Sequence, residues 1–425
     1  MFNLRMFLIF INASEVIPYS VQYRLLLNKI EEIEKKSLKP VTKADLIGAA
    51  LSEMLKDLSP NEQTTFLVKS FRWLHKHHPK THESFLQKTL TGITKALDSY
   101  STYLSPQNFR NLINMGKGKT AGIGVKILTR NQTLKIVGTM KNSPAFYAGL
   151  REGDIITHIN GVQVHAWKKS CADQIRGEIG STVKLTIERD HQSLQFEILR
   201  DKVKIEPIQH FCHEDVLYIC INYFTKNSYY EVKNILLQHQ NIKGCILDLR
   251  YNPGGIFQQG VLISGLFLEK QKKILEKRSQ TNAEFYYARE KDYLHQKPLV
   301  VLINPSTASS SEIVAGALKD NKRALLVGEK TFSKGTVQEL SAVFPSQIFG
   351  GFKYTVFEFL TPCGNTIQNN GIEPDHHITS SAQYIFDKKP KTLLKKDAQF
   401  RKGFEIIQNS GISYGNRTRV STLRG

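Results

Sequence analysis
From Ile17 to Leu112 the apolar positions recur at helical spacing. Tyr23 to Lys35 forms one amphipathic stripe and Phe85 to Leu97 another, while Thr42-Lys-Ala-Asp45 and Ser59-Pro-Asn-Glu62 carry helix-start signatures. Beyond residue 117 the period shortens to two. Leu134 to Val137, Val183 to Arg189 and Leu194 to Leu199 read as strands, Trp167 to Arg176 as a helix, and Asn160-Gly161 as a hairpin turn. From Val203 to Ile378 short apolar runs alternate with helical stretches, the pattern of an α/β core. The chain is therefore expected to be multidomain α+β.

Two places in the third region combine this pattern with chemistry. Pro298-Leu-Val-Val-Leu-Ile-Asn304 reads as a buried strand, Ile313 to Leu318 as a helix, and Arg323 to Val327 as a strand ending at Gly328. Ser309, Ser310 and Ser311 then fall at a strand-to-helix junction, where free amides and the helix dipole favour developing negative charge. Ser309-Ser-Ser-Glu312 is equally a capping box, which needs no chemistry. Lys334 follows the next strand, and a serine activated by a lysine is a hydrolase arrangement. The second place is Gly244 to Gly255, an apolar strand running into Asn252-Pro-Gly-Gly255, a tight turn whose glycines let amides approach a ligand. Asp248 and Arg250 within it are expected to form a structural ion pair.

These segments resemble the carboxyl-terminal processing, or tail-specific, proteases. The resemblance rests on Ser306-Thr-Ala-Ser309-Ser-Ser-Glu312, Phe332-Ser-Lys334-Gly-Thr-Val-Gln338 and the Asn-Pro-Gly-Gly turn, and runs continuously from about Leu97 to Ile378, including Tyr354 to Pro362 and Gly371 to Asp375. It implies a crotonase-like core with Ser309 as nucleophile, Lys334 as general base and Gln338 orienting the lysine. It also implies an oxyanion hole from Gly254 or Gly255 and the amide of Ser310. The choice of Ser309 among three serines rests on register with that family. Ser333 replaces the usual glycine and could stiffen the turn carrying the base, and Cys363-Gly364-Asn365 replaces the usual Ser-Gly-Arg. A lysine ordinarily titrates at about 10.4, so Lys334 requires a desolvated setting that lowers it by a few units. No metal or organic cofactor is required.

The block from Lys117 to Lys202 resembles a PDZ domain, with Gly122, Ile123, Gly124 and Val125 matching the loop that captures a peptide C-terminus as an added strand. Its glycines have neither dinucleotide nor P-loop spacing, which excludes nucleotide binding on these motifs.

Composition changes this picture little. The chain has 425 residues, 40% hydrophobic and 23% charged, as expected of several globular domains. Its formal net charge of +20 invites a nucleic-acid reading, but residues 386–425 alone hold ten Lys or Arg against three Asp or Glu, and no nucleic-acid module accompanies them. Within that tail Gly411 to Gly425 lacks an amphipathic pattern and is expected to be mobile. Five cysteines without metal spacing suggest packing residues, and His75-Lys-His-His78 is a weak metal tract at most. Arg5 and the apolar run Met6 to Ile11 suggest a signal peptide ending near Ala13, with a buried first helix as the alternative.

The expected organisation is a signal segment at 1–14, a helical region at 15–116, a PDZ domain at 117–203, a protease core at 204–385 and a basic tail at 386–425. The expected function is a serine endopeptidase of the bacterial periplasm or envelope that reads protein C-termini and cleaves unfolded or flexible chain. If 1–14 is a buried helix, the setting is cytoplasmic. Expected partners are such substrates, with peripheral anionic-lipid contact and a homodimer as further candidates and no nucleic acid. The competing classes are an inactive tail-binding adaptor and, less well matched, a crotonase-type acyl-transfer enzyme.

Overall fold
The computed structural model describes residues 19–55, 90–130, 133–164, 174–204, 206–343, 350–379 and 389–416. The expected features at 1–14, 59–62 and 75–78, and most of the helix at 167–176, lie outside them. The chain forms two compact units, one from Met1–Arg110, Lys277–Ala283 and Thr336–Glu358, the other from Asn111–Glu276, Glu284–Gly335 and Phe359–Gly425.

In the first unit the stripe at Tyr23 becomes the helix Tyr19–Lys36, followed by Lys43–Leu55. Thr42 and Asp45 begin the second helix as anticipated: Thr42 N–H donates to Asp45 Oδ2 at 2.8 Å and Asp45 N–H to Thr42 Oγ1 at 3.2 Å. Ile30, Ile33, Leu46, Ala50, Ile93 and Leu97 bury their apolar faces against Phe352 and Tyr354. Each fully buried side chain of the larger kinds contributes about 1.5–3 kcal/mol. At this surface burial pushes the Glu32 carboxyl up, but hydrogen bonds from Lys29, Ser341 and Lys36 outweigh it and hold it at about 2.

The second unit holds two sheets that matter for function. The strands Val125–Arg130, Thr133–Thr139, Ile155–Ile159, Thr182–Arg189 and Gln192–Leu199 pair in that order, all antiparallel. The period-two pattern buries Val183, Leu185 and Ile187 with Leu134, Ile136 and Ile156. Asn160 and Gly161 take φ of 52° and 78°, the paired positive values of a type I′ hairpin turn.

The other sheet has the order Ile208–His213, Val216–Ile221, Gly244–Asp248, Leu299–Ile303, Leu325–Gly328 and His376–His377, antiparallel in its first pair and parallel thereafter. Parallel strands need crossovers, and the helices Ser228–Gln238, Phe257–Gly265 and Ser310–Asp320 supply them. Asp248 pairs with Leu302, so the strands ahead of the Asn-Pro-Gly-Gly turn and of Ser309 end side by side at the carboxyl edge. That edge is where parallel α/β sheets hold their ligands.

The basic segment after residue 386 is not loose chain. It forms the helices Pro390–Lys396 and Ala398–Asn416, and Leu393, Phe400 and Ile407 enter the core beside Tyr218, Ile246, Val300 and Leu302. The helix runs on through Asn416, into the segment from Gly411 that shows no amphipathic pattern, and residues 417–425 lie outside the described ones. A helix that buries one apolar stripe gains its stability from that packing whatever its solvent face carries.

Candidate active site
The turn after Gly244–Asp248 is organised by Asn252, which is fully buried. Its side-chain amide donates to Ile221 O at 2.8 Å, its Oδ1 accepts Gly254 N–H at 2.9 Å, and its carbonyl accepts Ala308 N–H at 3.0 Å and Ser311 Oγ–H at 3.1 Å. One asparagine thus fastens the glycine turn to the serine segment. From the other side, Asn304 Oδ1 accepts Tyr251 N–H at 3.0 Å and Thr307 Oγ1 donates to Leu249 O at 3.0 Å.

These bonds correct one expectation. Gly254 N–H is engaged by Asn252, so Gly254 is not an oxyanion donor in this arrangement; its role is close approach. A Cβ there would lie 2.9 Å from both Ala308 O and Ser309 Cβ. The neighbouring contact with Phe224 uses the Gly254 carbonyl (3.0 Å) and the Ile256 amide (2.9 Å), leaving the Gly255 amide out of it. Gly255 N–H and Ser310 N–H are the two amides the turn and the helix start offer, the latter one of the four that no α-helix satisfies internally.

The three serines are not equivalent. Ser310 and Ser311 are buried and their hydroxyls donate to Gly255 O at 3.3 Å and Asn252 O at 3.1 Å. Ser309 is half-buried, caps the helix Ser310–Asp320 and has φ 56°, ψ −117°. That backbone region is nearly reserved for glycine and costs about 1–3 kcal/mol to hold. A sharp strand-to-helix turn of this kind is how unrelated hydrolases expose a nucleophilic hydroxyl.

Glu312 holds the strain in place, a role the sequence did not reveal. Oε2 accepts Ser309 N–H at 2.8 Å and Lys334 N–H at 2.9 Å, while Oε1 accepts Ser333 N–H at 2.8 Å and Thr331 Oγ–H at 2.6 Å. A single oxygen therefore receives the main-chain amides of both candidate reacting residues. Burial raises the Glu312 carboxyl above its ordinary value, with the four donors pulling the other way. The capping-box reading was half of the arrangement; the other half arrives from residues 331–334.

The Lys334 segment is also held from behind. Phe332 N–H donates to Thr307 O at 3.0 Å and Gly335 N–H to Gln368 Oε1 at 3.1 Å. Gly371, with φ 67°, packs where a Cβ would meet Ser333 Oγ at 2.8 Å and Thr331 O at 3.0 Å. This gives the Gly371–Asp375 motif a purpose, backing the loop that carries the lysine. Ser333 does strain that loop, with φ of 81° in the left-handed region. Lys334 is half-buried. Gln338 lies in the first unit, at a bulge in the strand Thr336–Ala342, and its amide nitrogen reaches the Thr336 and Thr355 hydroxyls, both at 3.2 Å.

The expected ion pair is present and larger than foreseen. Arg250 meets Asp248 through Nε (2.9 Å) and Nη2 (2.7 Å), Asp397 through Nη1 (2.9 Å) and Nη2 (2.8 Å), and Gln399 Oε1 through Nη1 (2.9 Å).

Gly122, Ile123, Gly124 and Val125 line a cavity of about 290 Å³ with Ile127, Val137 and Ile175, and Tyr251 and Pro253 form part of its wall. Gly124 has φ 79° and faces Ser143 so closely that a Cβ would lie 2.3 Å from the serine Cβ. The strand beginning at Val125 and the apolar walls suit an added peptide strand.

Sheet, glycine turn, strained serine and lysine loop together define a serine hydrolase bearing a PDZ module. Residues 121–199 match the PDZ domain and residues 215–378 match peptidase family S41. The chain is 32% identical over 303 residues to the carboxy-terminal-processing protease of Bartonella bacilliformis, covering 69% of each chain. To a CtpA-like serine protease of Staphylococcus epidermidis it is 31% identical over 365 residues, covering 82% of this chain and 73% of the relative. The solved photosystem II D1 C-terminal processing protease shares the fold, with a TM-score of 0.58, 23% identity and coverage of 84% of this chain and 93% of that one. The chain belongs to peptidase family S41, among the carboxyl-terminal processing serine proteases. The PDZ domain and α/β protease core expected from the sequence are part of its architecture, and its fold matches that of the solved processing protease. The inactive-adaptor alternative gains no support from these relatives.

Proposed function
We propose that this serine protease is an endopeptidase with a Ser309–Lys334 dyad, and that it reads substrate C-termini through the Gly122–Val125 loop and cleaves unfolded or flexible chain. The observation that carries the dyad is the shared carboxylate oxygen of Glu312, which receives the amides of a strained, half-buried Ser309 and of Lys334. Neutral Lys334 accepts the Ser309 proton as the hydroxyl oxygen attacks the scissile carbonyl carbon. The resulting oxyanion meets the amides of Gly255 and Ser310, and the same proton passes from Lys334 to the leaving amine as the C–N bond breaks. Water then enters by the same route in reverse and releases the acyl group. Gln338, whose side-chain nitrogen reaches the Thr336 and Thr355 hydroxyls, is the residue that register with the family assigns to orienting the lysine amine.

An extended tail entering the 290 Å³ cavity adds to the strand that starts at Val125, with its last side chain among Ile123, Ile127 and Ile175. The setting we propose is the bacterial envelope, with anionic lipid and a second copy as lesser contacts; cell fractionation, vesicle sedimentation and light scattering examine these in turn. The deciding experiment compares wild type, Ser309→Ala and Lys334→Ala on an unfolded protein with an apolar C-terminus. Both variants are expected to lose cleavage while binding the tail normally. Equal cleavage by all three refutes the dyad, and tail binding without cleavage in the wild type favours an adaptor.

A further inference from the structure
The buried cluster around Arg250 does more than charge balance requires. Asp248 alone neutralises the guanidinium, and Tyr218 Oη–H already donates to Asp248 Oδ2 at 2.7 Å. A second carboxylate, Asp397, is nevertheless buried to 6% exposure beside it, and Gln399 accepts from the same Nη1 while donating to Ile378 O at 2.7 Å. Both residues lie beyond the stretch that matches the peptidase family, which ends at 378. A planar guanidinium held along two edges by two carboxylates has no rotational freedom left.

Arg250 is also where the glycine turn begins. Its own N–H donates to Asp248 Oδ1 at 3.0 Å, the next residue, Tyr251, has φ 59°, and Asn252 and Gly255 follow within the same turn. The start of the helix Ala398–Asn416 is fixed in turn, since Asp397 Oδ1 accepts Phe400 N–H at 3.0 Å and Phe400 sits in the core. A continuous set of bonds thus runs from the C-terminal helix through Arg250 to the turn that backs Ser309.

We propose that Asp397 and Gln399 are positioning residues for the proteolytic reaction: through Arg250 they clamp the base of the Asn-Pro-Gly-Gly turn, so that the C-terminal helix completes the active site. The inference rests on the Ser309 reading above. Tyr251 and Pro253 of the same turn also wall the tail cavity. The mark of the clamp is therefore a fall in the acylation rate of a short untailed ester, which needs no tail reading, whereas a merely structural contact leaves that rate unchanged in the folded protein.

The test uses the full chain with Asp397→Ala, Asp397→Asn, Gln399→Ala and Ser309→Ala. The readouts are kcat and KM on the unfolded substrate, the rate at which an activated peptide ester acylates Ser309, affinity for a tail peptide, and thermal melting. Misplacement of about 1 Å costs about a hundredfold in rate, and a loosened turn falls within that limit. Asp397→Ala is expected to lower kcat and the acylation rate of the untailed ester together by about 10- to 100-fold. Asp397→Asn, which keeps an acceptor for Nη1, restores part of the loss, and Gln399→Ala shows a smaller fall. Unchanged kcat in folded Asp397→Ala overturns the clamp, and so does a fall in kcat with the ester acylation rate unchanged. If Asp397→Ala does not fold, the isosteric Asp397→Asn decides by the same criteria. Cleavage retained by Ser309→Ala overturns the site reading and the clamp together, whereas an inactive Ser309→Ala beside a fully active Asp397→Ala overturns the clamp alone.

Discussion
Replacing Glu312 separates its geometric role from its charge. In Glu312→Gln the amide keeps one acceptor oxygen and turns the other into an NH2 group. At the Oε2 position that group would face two N–H donors, Ser309 and Lys334; at Oε1 it faces only Ser333 N–H and the rotatable Thr331 hydroxyl. The amide therefore adopts the second orientation, keeps Ser309 and Lys334 joined, and orphans one amide. Losing a hydrogen bond to a charged group costs about 1.5–3 kcal/mol, and relief of the fully buried charge offsets part of it. A net loss of about 1–2 kcal/mol and a roughly tenfold fall in kcat follow, since the Ser333 shift moves Lys334 by only a fraction of 1 Å. Glu312→Ala orphans all four donors and is expected to cost about 3–5 kcal/mol and at least about a hundredfold in kcat. Calorimetric melting and steady-state kinetics on an unfolded substrate measure both. If the glutamine variant is as damaged as the alanine variant, or if the alanine variant keeps wild-type kcat, the bridging role is wrong.

Ser333→Gly relieves a φ of 81°, and although glycine raises unfolded-chain entropy, the net gain is expected to be about 1 kcal/mol, read as a higher Tm with activity equal or better; a lower Tm refutes the strain. Lys233, Tyr229 and Tyr293 hold the Glu290 carboxyl at about 2, below the ordinary glutamate value of about 4.3. Because that folded value is depressed, the stabilisation is present above about pH 4.3 and lost as pH falls towards about 2. The Tm gap between wild type and Glu290→Gln should therefore close across this window, and a constant gap refutes it. Ile127→Glu puts a charge in the apolar cavity and should raise KM for tailed substrates about tenfold or more while leaving kcat and cleavage of short untailed peptides unchanged; an equal effect on both contradicts tail reading there.

Local pattern carried the fold a long way. The run Leu299–Ile303 and the helical spacing after Ser310 predicted the strand-turn-helix, and Asn160-Gly161 predicted its hairpin, because burial on a sheet and turn dihedrals are written in adjacent residues. Ser309, by contrast, was distinguished from its neighbours only by family register. What separates them is tertiary: Ser310 and Ser311 have carbonyl partners about 55 residues away in the glycine turn. Glu312 looked like a cap because its first partner is three residues off, whereas the donors at 331–334 appear only on closure of the fold. Asn252 hid the engagement of Gly254 inside a short side-chain turn. The C-terminal segment reads as a tail because its lysines dominate the composition, while Leu393, Phe400, Phe404 and Ile407 find their apolar partners only on strands far earlier in the chain.

The central claim is that Ser309 is acylated with help from Lys334. Its most direct test is the mass-mapped site of the acyl group after brief reaction with an activated peptide ester, in wild type and in Lys334→Ala. The account predicts acylation on Ser309 in the wild type and a rate lower by at least about a thousandfold without the lysine. Acyl groups on Ser310 or Ser311, or equal labelling of Ser309 in both proteins, would contradict it.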